Sequence, residues 1–327
     1  MGQLHCYKLA KEETICRYAI DTCQYDYCPP PVIKVESAIF NGQGKYRDEC
    51  QDDICILENF INECHFFAVF DGFGKYGKRA ADYANHALQF YLQLNRSKIE
   101  RAKNPREIEL YLQGGITYVD SQLKKSSLDF DYSGVSLTGV LIERNQIYVM
   151  TIGNPKAYLV RGNEEQNKIM EISSQHILDN DKERERILSC GGTIVKFNNG
   201  NLIQEGKRFY IDKEGPGLVS TRAIGAWKYK RSLISTPEIK RYDFTVDDKF
   251  IVLGTDGLWD VYSQDEIAEF VFSRSQSKEN KAEKLAARAQ DRWLKRTQFI
   301  GIGDDAKATL GVDDIGIIII YLNFPHK

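Results

Sequence analysis

Aspartates stand at the ends of apolar runs in three separate parts of this chain. His65-Phe66-Phe67-Ala68-Val69-Phe70 runs into Asp71-Gly72, and Phe250-Ile251-Val252-Leu253-Gly254-Thr255 runs into Asp256-Gly257. The pair Asp313-Asp314 opens Ile315-Gly316-Ile317-Ile318-Ile319-Ile320. A buried strand that finishes on an aspartate fixes that carboxylate on the rim of a sheet. Carboxylates converging there repel one another unless a cation stands between them. Each Asp-Gly alone reads as a hairpin turn, but the set of three points to a site for hard cations.

The elements that must position these groups follow from periodicity. Val32 to Phe40 is strand-like and is broken by Asn41-Gly42-Gln43-Gly44. Ala81, Ala84, Leu88 and Tyr91 share one face of a helix over 78–94, and Ile108, Leu112, Ile116, Val119 and Leu123 share one over 106–124. Strands follow at Gly139–Ile142, Ile147–Ile152 and Ala157–Val160, the first two joined by a tight turn at Glu143–Gln146. A short helix is expected over 182–190, ended by Gly191-Gly192, and the polar, Gly-rich stretch from Phe197 to Gly217 reads as a mobile loop. Ser263-Gln264-Asp265-Glu266 has the spacing of a capping box and starts a helix through Phe272. Ala282, Leu285, Ala286, Ala289 and Trp293 face inward from another over 278–295. Strands and helices cluster rather than alternate strictly, which favours an antiparallel core with helices outside. The chain divides into an arm, 1–31, ending at Pro29-Pro30-Pro31, and one domain, 32–327.

Bulk composition narrows the classes. Hydrophobic residues at 42% and charged ones at 28% suit a globular chain without extended disorder. The net charge of −2 gives no global field for nucleic acid or anionic lipid. Basic residues gather at Lys228–Arg231 and over Arg288–Arg296, and both clusters read as solvated faces. The eight cysteines lack zinc-knuckle spacing and read as free thiols in the reducing cytoplasm. No run is long enough to cross a bilayer. Met1-Gly2 is not followed by Ser or Thr at position six, so acylation is not expected.

Gly72-Phe73-Gly74-Lys75-Tyr76-Gly77 fits a Gly-x-Gly-x-x-Gly pattern between a strand and a helix. A dinucleotide site would also need an acidic residue about 20 positions on, at the end of the next strand. That place falls in Tyr91-Leu92-Gln93-Leu94, inside a helix. Nucleotide binding is set aside.

Read with their neighbours, the aspartates gain a context. Phe66-Phe67-Ala68-Val69-Phe70-Asp71-Gly72-Phe73-Gly74, Gly217-Leu218-Val219-Ser220-Thr221-Arg222-Ala223-Ile224-Gly225, Thr236-Pro237-Glu238 and Phe250 to Val261 resemble, in that order, the signatures of the metal-dependent protein phosphatases of type 2C. The resemblance runs from about Val32 to Leu322. It implies an α+β fold, a central β-sandwich of two antiparallel sheets flanked by helices on both outer faces. The implied activity is metal-dependent hydrolysis of phosphoserine or phosphothreonine in a phosphoprotein substrate. Two Mn²⁺ or Mg²⁺ ions, bridged by an aspartate and a water, give a hydroxide that attacks phosphorus in line, so no cysteine nucleophile is needed. By position, Asp71 is the bridging aspartate, Gly72 gives a carbonyl ligand, and Asp256 and Asp313 are the other main metal aspartates. Arg47-Asp48-Glu49-Cys50-Gln51-Asp52-Asp53 resembles the N-terminal motif, in which Arg47 would bind the substrate phosphate by a bidentate contact and Asp52 would be an acidic metal-site residue. Asp260 matches a ligand of an additional, weaker metal site. Taken singly, Arg47 reads as a partner of Asp48 or Glu49, Asp260 as a turn cap, and Asp52 and Asp53 as surface acids ahead of a strand.

The pattern is also broken. Phe73 stands where eukaryotic members carry a histidine that protonates the leaving oxygen, and loss of a general acid costs about 10²–10⁴ in rate. Lys78 replaces a second histidine of some relatives, and Ala226 an aspartate. In Gly153-Asn154-Pro155-Lys156-Ala157 a neutral amide replaces the aspartate of the third metal site, so that site is expected to be weak or empty. Asp314 adds a negative charge where an asparagine is usual. The sequence thus supports a slow phosphatase or, alternatively, a pseudophosphatase that survives as a binding or scaffold module, with the arm docking on the core or on a larger assembly.

Overall fold

The computed structural model describes residues 30–42, 49–198, 205–211, 214–273, 280–299 and 312–324. Residues 1–29 of the arm, and Arg47 and Asp48, lie outside this set.

One sheet contains β2 (Asp52–Ile61), β3 (Cys64–Phe73), β4 (Gly134–Glu143), β5 (Gln146–Ile152) and β12 (Glu238–Asp243), with the two-residue β11 (Ile224–Gly225) on β4. Its order is β12-β5-β4-β3-β2. The second sheet has β1 (Val32–Phe40), β6 (Lys156–Gly162), β7 (Asn167–Glu171), β13 (Asp248–Gly254) and β14 (Ile315–Asn323), in the order β1-β14-β13-β6-β7. Every pairing in both is antiparallel.

The central strands β3, β13 and β14 read as apolar runs because both of their faces are covered. In β3, Phe67 and Val69 meet Ile251, Leu253, Ile318 and Ile320 between the sheets. The alternate residues Phe66, Ala68 and Phe70 face α1 (Gly77–Glu100) and α2 (Pro105–Lys125) through Ala80, Ala84, Leu88, Leu112 and Ile116. Val252, Ile317 and Ile319 point the other way, onto Ile267, Leu285 and Ala289 of α5 (Gln264–Phe272) and α6 (Lys281–Phe299). The capping box at Ser263 and Glu266 forms as the spacing requires. The expected sandwich with helices on both outer faces is therefore the observed one.

Two expectations need correction. The stretch 197–217 is not simply a loop: β8 (Thr193–Asn198), β9 (Glu205–Ile211) and β10 (Glu214–Leu218) make a third, antiparallel sheet in the order β10-β9-β8. Its glycines and charges suit a small outlying sheet, which a scan for apolar alternation does not register. The clusters 228–231 and 288–296 are not merely solvated either. Lys230 donates to the Ala223 carbonyl at 3.1 Å and lies 3.4 Å from Asp120 Oδ1, while Arg288 and Arg292 lie over the rings of Phe270 and Tyr262. Long aliphatic stems let such cations cover apolar surface.

Candidate active site

Strand alternation carries Asp71 to the same side of β3 as Phe67 and Val69, one step beyond the packed core. Register sets Asp52 of β2 directly opposite Asp71 on one side and Ser136 of β4 opposite it on the other. From the second sheet, Asp256 follows β13 at the start of the single turn α4 (Asp256–Trp259), and Asp313 and Asp314 precede β14. These ends meet in one cleft of about 280 Å³, lined by Asp71, Asp256, Asp313 and Asp314 together with Phe73 and Asn154.

Close backbone approach builds the cleft. A Cβ on Gly72 would overlap the carbonyls of Gly77 and Gln51, and one on Gly257 would overlap that of Asp314. Gln51 ties the parts together: its carbonyl accepts from Gly72 N at 3.1 Å, and its amide donates to the Gly74 carbonyl at 2.9 Å.

Asp52 is buried and is no surface acid. Its Oδ2 accepts from the Thr255 hydroxyl at 2.7 Å, and Thr255 Oγ1 in turn accepts from Gly316 N at 2.9 Å. Burial pushes its carboxyl well above the usual range; the Thr255 bond opposes this, and the charges of Asp313, Asp314 and Asp256 add to it. Carboxylates at the rim of the second sheet thus act on a buried acid of the first. Asp260 is raised by burial and by Asp313, while Lys156 and Arg296 draw it back. Asp314 latches the chain: it accepts from Gly42 N at 2.6 Å and from Gln51 N at 2.9 Å. Its extra charge is therefore held by backbone donors.

Asn154 donates to Asp256 Oδ2 at 2.9 Å and accepts at Oδ1 from the Ser220 hydroxyl at 2.6 Å. The two bonds fix which way the amide points, and an N–H faces Asp256 where an aspartate would bring a second charge. Phe73 packs with Tyr132 against the cluster of Leu218, Ala226 and Tyr229, and its ring lies over Gly134. Ala226 is buried with φ of 53° and offers no carboxylate. Lys78 bonds Asp82 at 2.6 Å. Burial, with Asp314 and Asp52 nearby, pushes the Cys50 thiol up to about 12, so no reactive thiolate stands here.

The donor set is oxygen-only, as hard divalent cations require. Among the described residues, no group of three or more His, Cys, Asp or Glu side chains is arranged to hold a metal ion. Thr255, Asn154 and the backbone of Gly42 and Gln51 each bond one of the carboxylates.

Sequence reasoning did not reveal a charged network beneath the cleft. Glu183, on α3 (Asp181–Ser189), accepts from Thr221 Oγ1 at 2.7 Å, Arg222 Nη2 at 2.6 Å and Arg186 Nη2 at 2.6 Å. His176 is fully buried; its Nδ1 accepts from Gly153 N at 3.1 Å, and its Nε2 lies 3.5 Å from Glu238 Oε2. Arg222 and Glu238 belong to the quoted motifs, but nothing local links either to residues 176 or 183.

The protein-family signature described as Protein phosphatase 2C matches residues 39–297. "Probable protein phosphatase 2C 72" of Arabidopsis thaliana is 26% identical over 281 residues, covering 83% of this chain and 81% of its own length. The integrin-linked kinase-associated serine/threonine phosphatase 2C of Bos taurus is 29% identical over 264 residues, covering 74% and 67%. The fold matches a serine-threonine phosphatase 2C from Toxoplasma gondii with a TM-score of 0.70 and 19% identity, over 90% of this chain and 98% of that one. The chain is a member of the protein phosphatase 2C family, whose activity is hydrolysis of phosphoserine and phosphothreonine in proteins and is metal-dependent.

Proposed function

We propose that this chain is a slow, divalent-cation-dependent protein serine/threonine phosphatase with its active site in the cleft described above. The observation that carries this is the arrival of Asp71, Asp256 and Asp313, from the ends of both sheets, in one cleft. Mn²⁺ or Mg²⁺ would be held by Asp71, the Gly72 carbonyl, Asp256 and Asp313, with Asp52 behind them, and would supply Lewis-acid activation of water and of the phosphoryl group. Arg47, outside the described residues, is assigned to the substrate phosphate. The domain runs from 32 to 327, with 1–31 as an arm that docks on the core or on a larger assembly.

The chain's own groups explain the slowness. Phe73 has no proton to give a leaving serine or threonine oxygen, and Asn154 brings an amide N–H rather than a ligand to Asp256. These same features favour the second reading, a pseudophosphatase that binds phosphoproteins without turnover. Mn²⁺ titrated into the protein is expected to raise its melting temperature, since a ligand bound only by the native state stabilises it. Mn²⁺-dependent phosphopeptide hydrolysis should accompany that rise. A thermal shift without turnover selects the pseudophosphatase, and no shift at all refutes the metal site.

Phe73→His is expected to raise kcat by about 10-fold, short of the roughly 10²–10⁴ of a fully positioned general acid. An unchanged kcat in the folded variant would mean that leaving-group protonation is not the limiting defect.

A further inference from the structure

The turn that presents Asp256 is only four residues long. Backbone N–H groups bond the Asp256 and Leu258 carbonyls, but those of Gly257, Asp260 and Val261 take side-chain donors from another element. One face of α6 supplies the donors. Trp293 Nε1 donates to the Gly257 carbonyl at 2.7 Å, Arg296 Nη1 to that of Asp260 at 2.6 Å, and Arg292 Nη1 to that of Val261 at 2.9 Å. Positions 292, 293 and 296 share a helix face through spacings of four and three. These donors are themselves placed: the Arg292 guanidinium lies 3.6 Å from the centre of the Tyr262 ring and bonds Glu266 Oε1 at 2.8 Å. Trp259 closes the other end of the turn by donating to the Gly254 carbonyl at 2.7 Å.

We propose that Arg292, Trp293 and Arg296 are positioning residues that fix the turn bearing Asp256 and Asp260 and thereby set the affinity of the site for divalent cations. This rests on Asp256 being a metal ligand, as assigned above. The carbonyls they bind lie on the segment that leaves Asp256, and Gly257 is wedged against the Asp314 backbone. Freed from α6, the turn keeps its covalent place but not its orientation, and a ligand oriented less often binds more weakly.

The test is calorimetric titration of Mn²⁺ into the full chain and into Trp293→Phe, Arg296→Met and Arg296→Lys. Trp293→Phe keeps an aromatic ring and loses the donor; Arg296→Lys keeps a cationic donor that Arg296→Met lacks. The first two variants are expected to weaken Mn²⁺ binding about 10-fold, the lower end of such outer-ligand effects. Arg296→Lys is expected to recover most of the loss, and kcat at saturating Mn²⁺ to move less than about twofold in the recovered protein. Mn²⁺ affinity unchanged in both donor-deleted variants overturns the inference, as does a fall in kcat with affinity intact. Should Trp293→Phe fail to fold by circular dichroism, the exposed Arg296 pair decides the matter alone. A wild-type chain that binds no Mn²⁺ refutes this inference and the proposed function together; binding that the variants leave untouched refutes this inference only.

Discussion

Asp71→Asn is expected to lower kcat/KM for a phosphopeptide by more than about 100-fold at any Mn²⁺ concentration, exceeding the usual cost of losing a group that merely supports a ligand. Asp71 is the aspartate with a neighbour on each side, Asp52 on β2 and Ser136 on β4. Asparagine keeps its shape and one oxygen but loses the charge that a hard cation needs. The substitution also removes one of two acids directly opposite each other across a strand pair, a mutually destabilising arrangement. The melting temperature of the metal-free variant is therefore expected to hold or rise, while the Mn²⁺-dependent rise disappears. A variant that loses activity and also melts well below wild type without metal would point to a structural role for Asp71. Retained Mn²⁺-dependent turnover would remove Asp71 from the metal site altogether.

The sheets were legible because burial on both faces writes their central strands as continuous apolar runs, and the aspartates were legible because they stand at the ends of those runs. β3 and β14 are the clearest cases. The third sheet was not legible, since β9 and β10 carry glycine and charge where a core strand carries valine or isoleucine. The burial of Asp52 was hidden as well: its partner Thr255 is 203 positions away, and the two meet only through the packing of one sheet on the other. Asp314 was visible only as a surplus charge, because its two donors, Gly42 N and Gln51 N, are backbone groups that leave no residue-type signal. The support that α6 gives α4 was concealed by its own residue types. Arginines on a helix suggest solvent, whereas here they bond the carbonyls just beyond another element.

The largest stability effect is expected at Glu183. Its side chain is 4% exposed and stands between Arg186 and Arg222, with Thr221 donating a further hydrogen bond. Burial alone would raise its pKa, but the bonds from Arg222, Thr221 and Arg186 outweigh that and hold it at about 2. Glu183→Ala leaves two largely buried guanidinium groups facing each other and should destabilise the fold by about 3–5 kcal/mol, a loss of roughly 6 °C or more in Tm. A loss below about 1 kcal/mol would mean that water replaces the carboxylate readily. Acid acts on the same network in two stages. His176 is held down to about 4 from an ordinary 6.5, chiefly by burial and then by Arg222, so the unfolded chain binds its proton first. Stability is accordingly lost as pH falls from 6.5 toward 4, by roughly 3 kcal/mol in all. Glu183 contributes in full above pH 4.5 and loses its contribution as pH falls toward 2. Denaturant melts at stepped pH separate the stages: His176→Gln should flatten the slope between pH 4 and 6.5 by about one proton and leave the lower stage intact. Because His176 accepts from Gly153 N, next to the Asn154 that bonds Asp256, protonation reaches the cleft before the fold is lost. Activity is therefore expected to decline at a higher pH than the onset of global unfolding, and coincident profiles would uncouple His176 from the site.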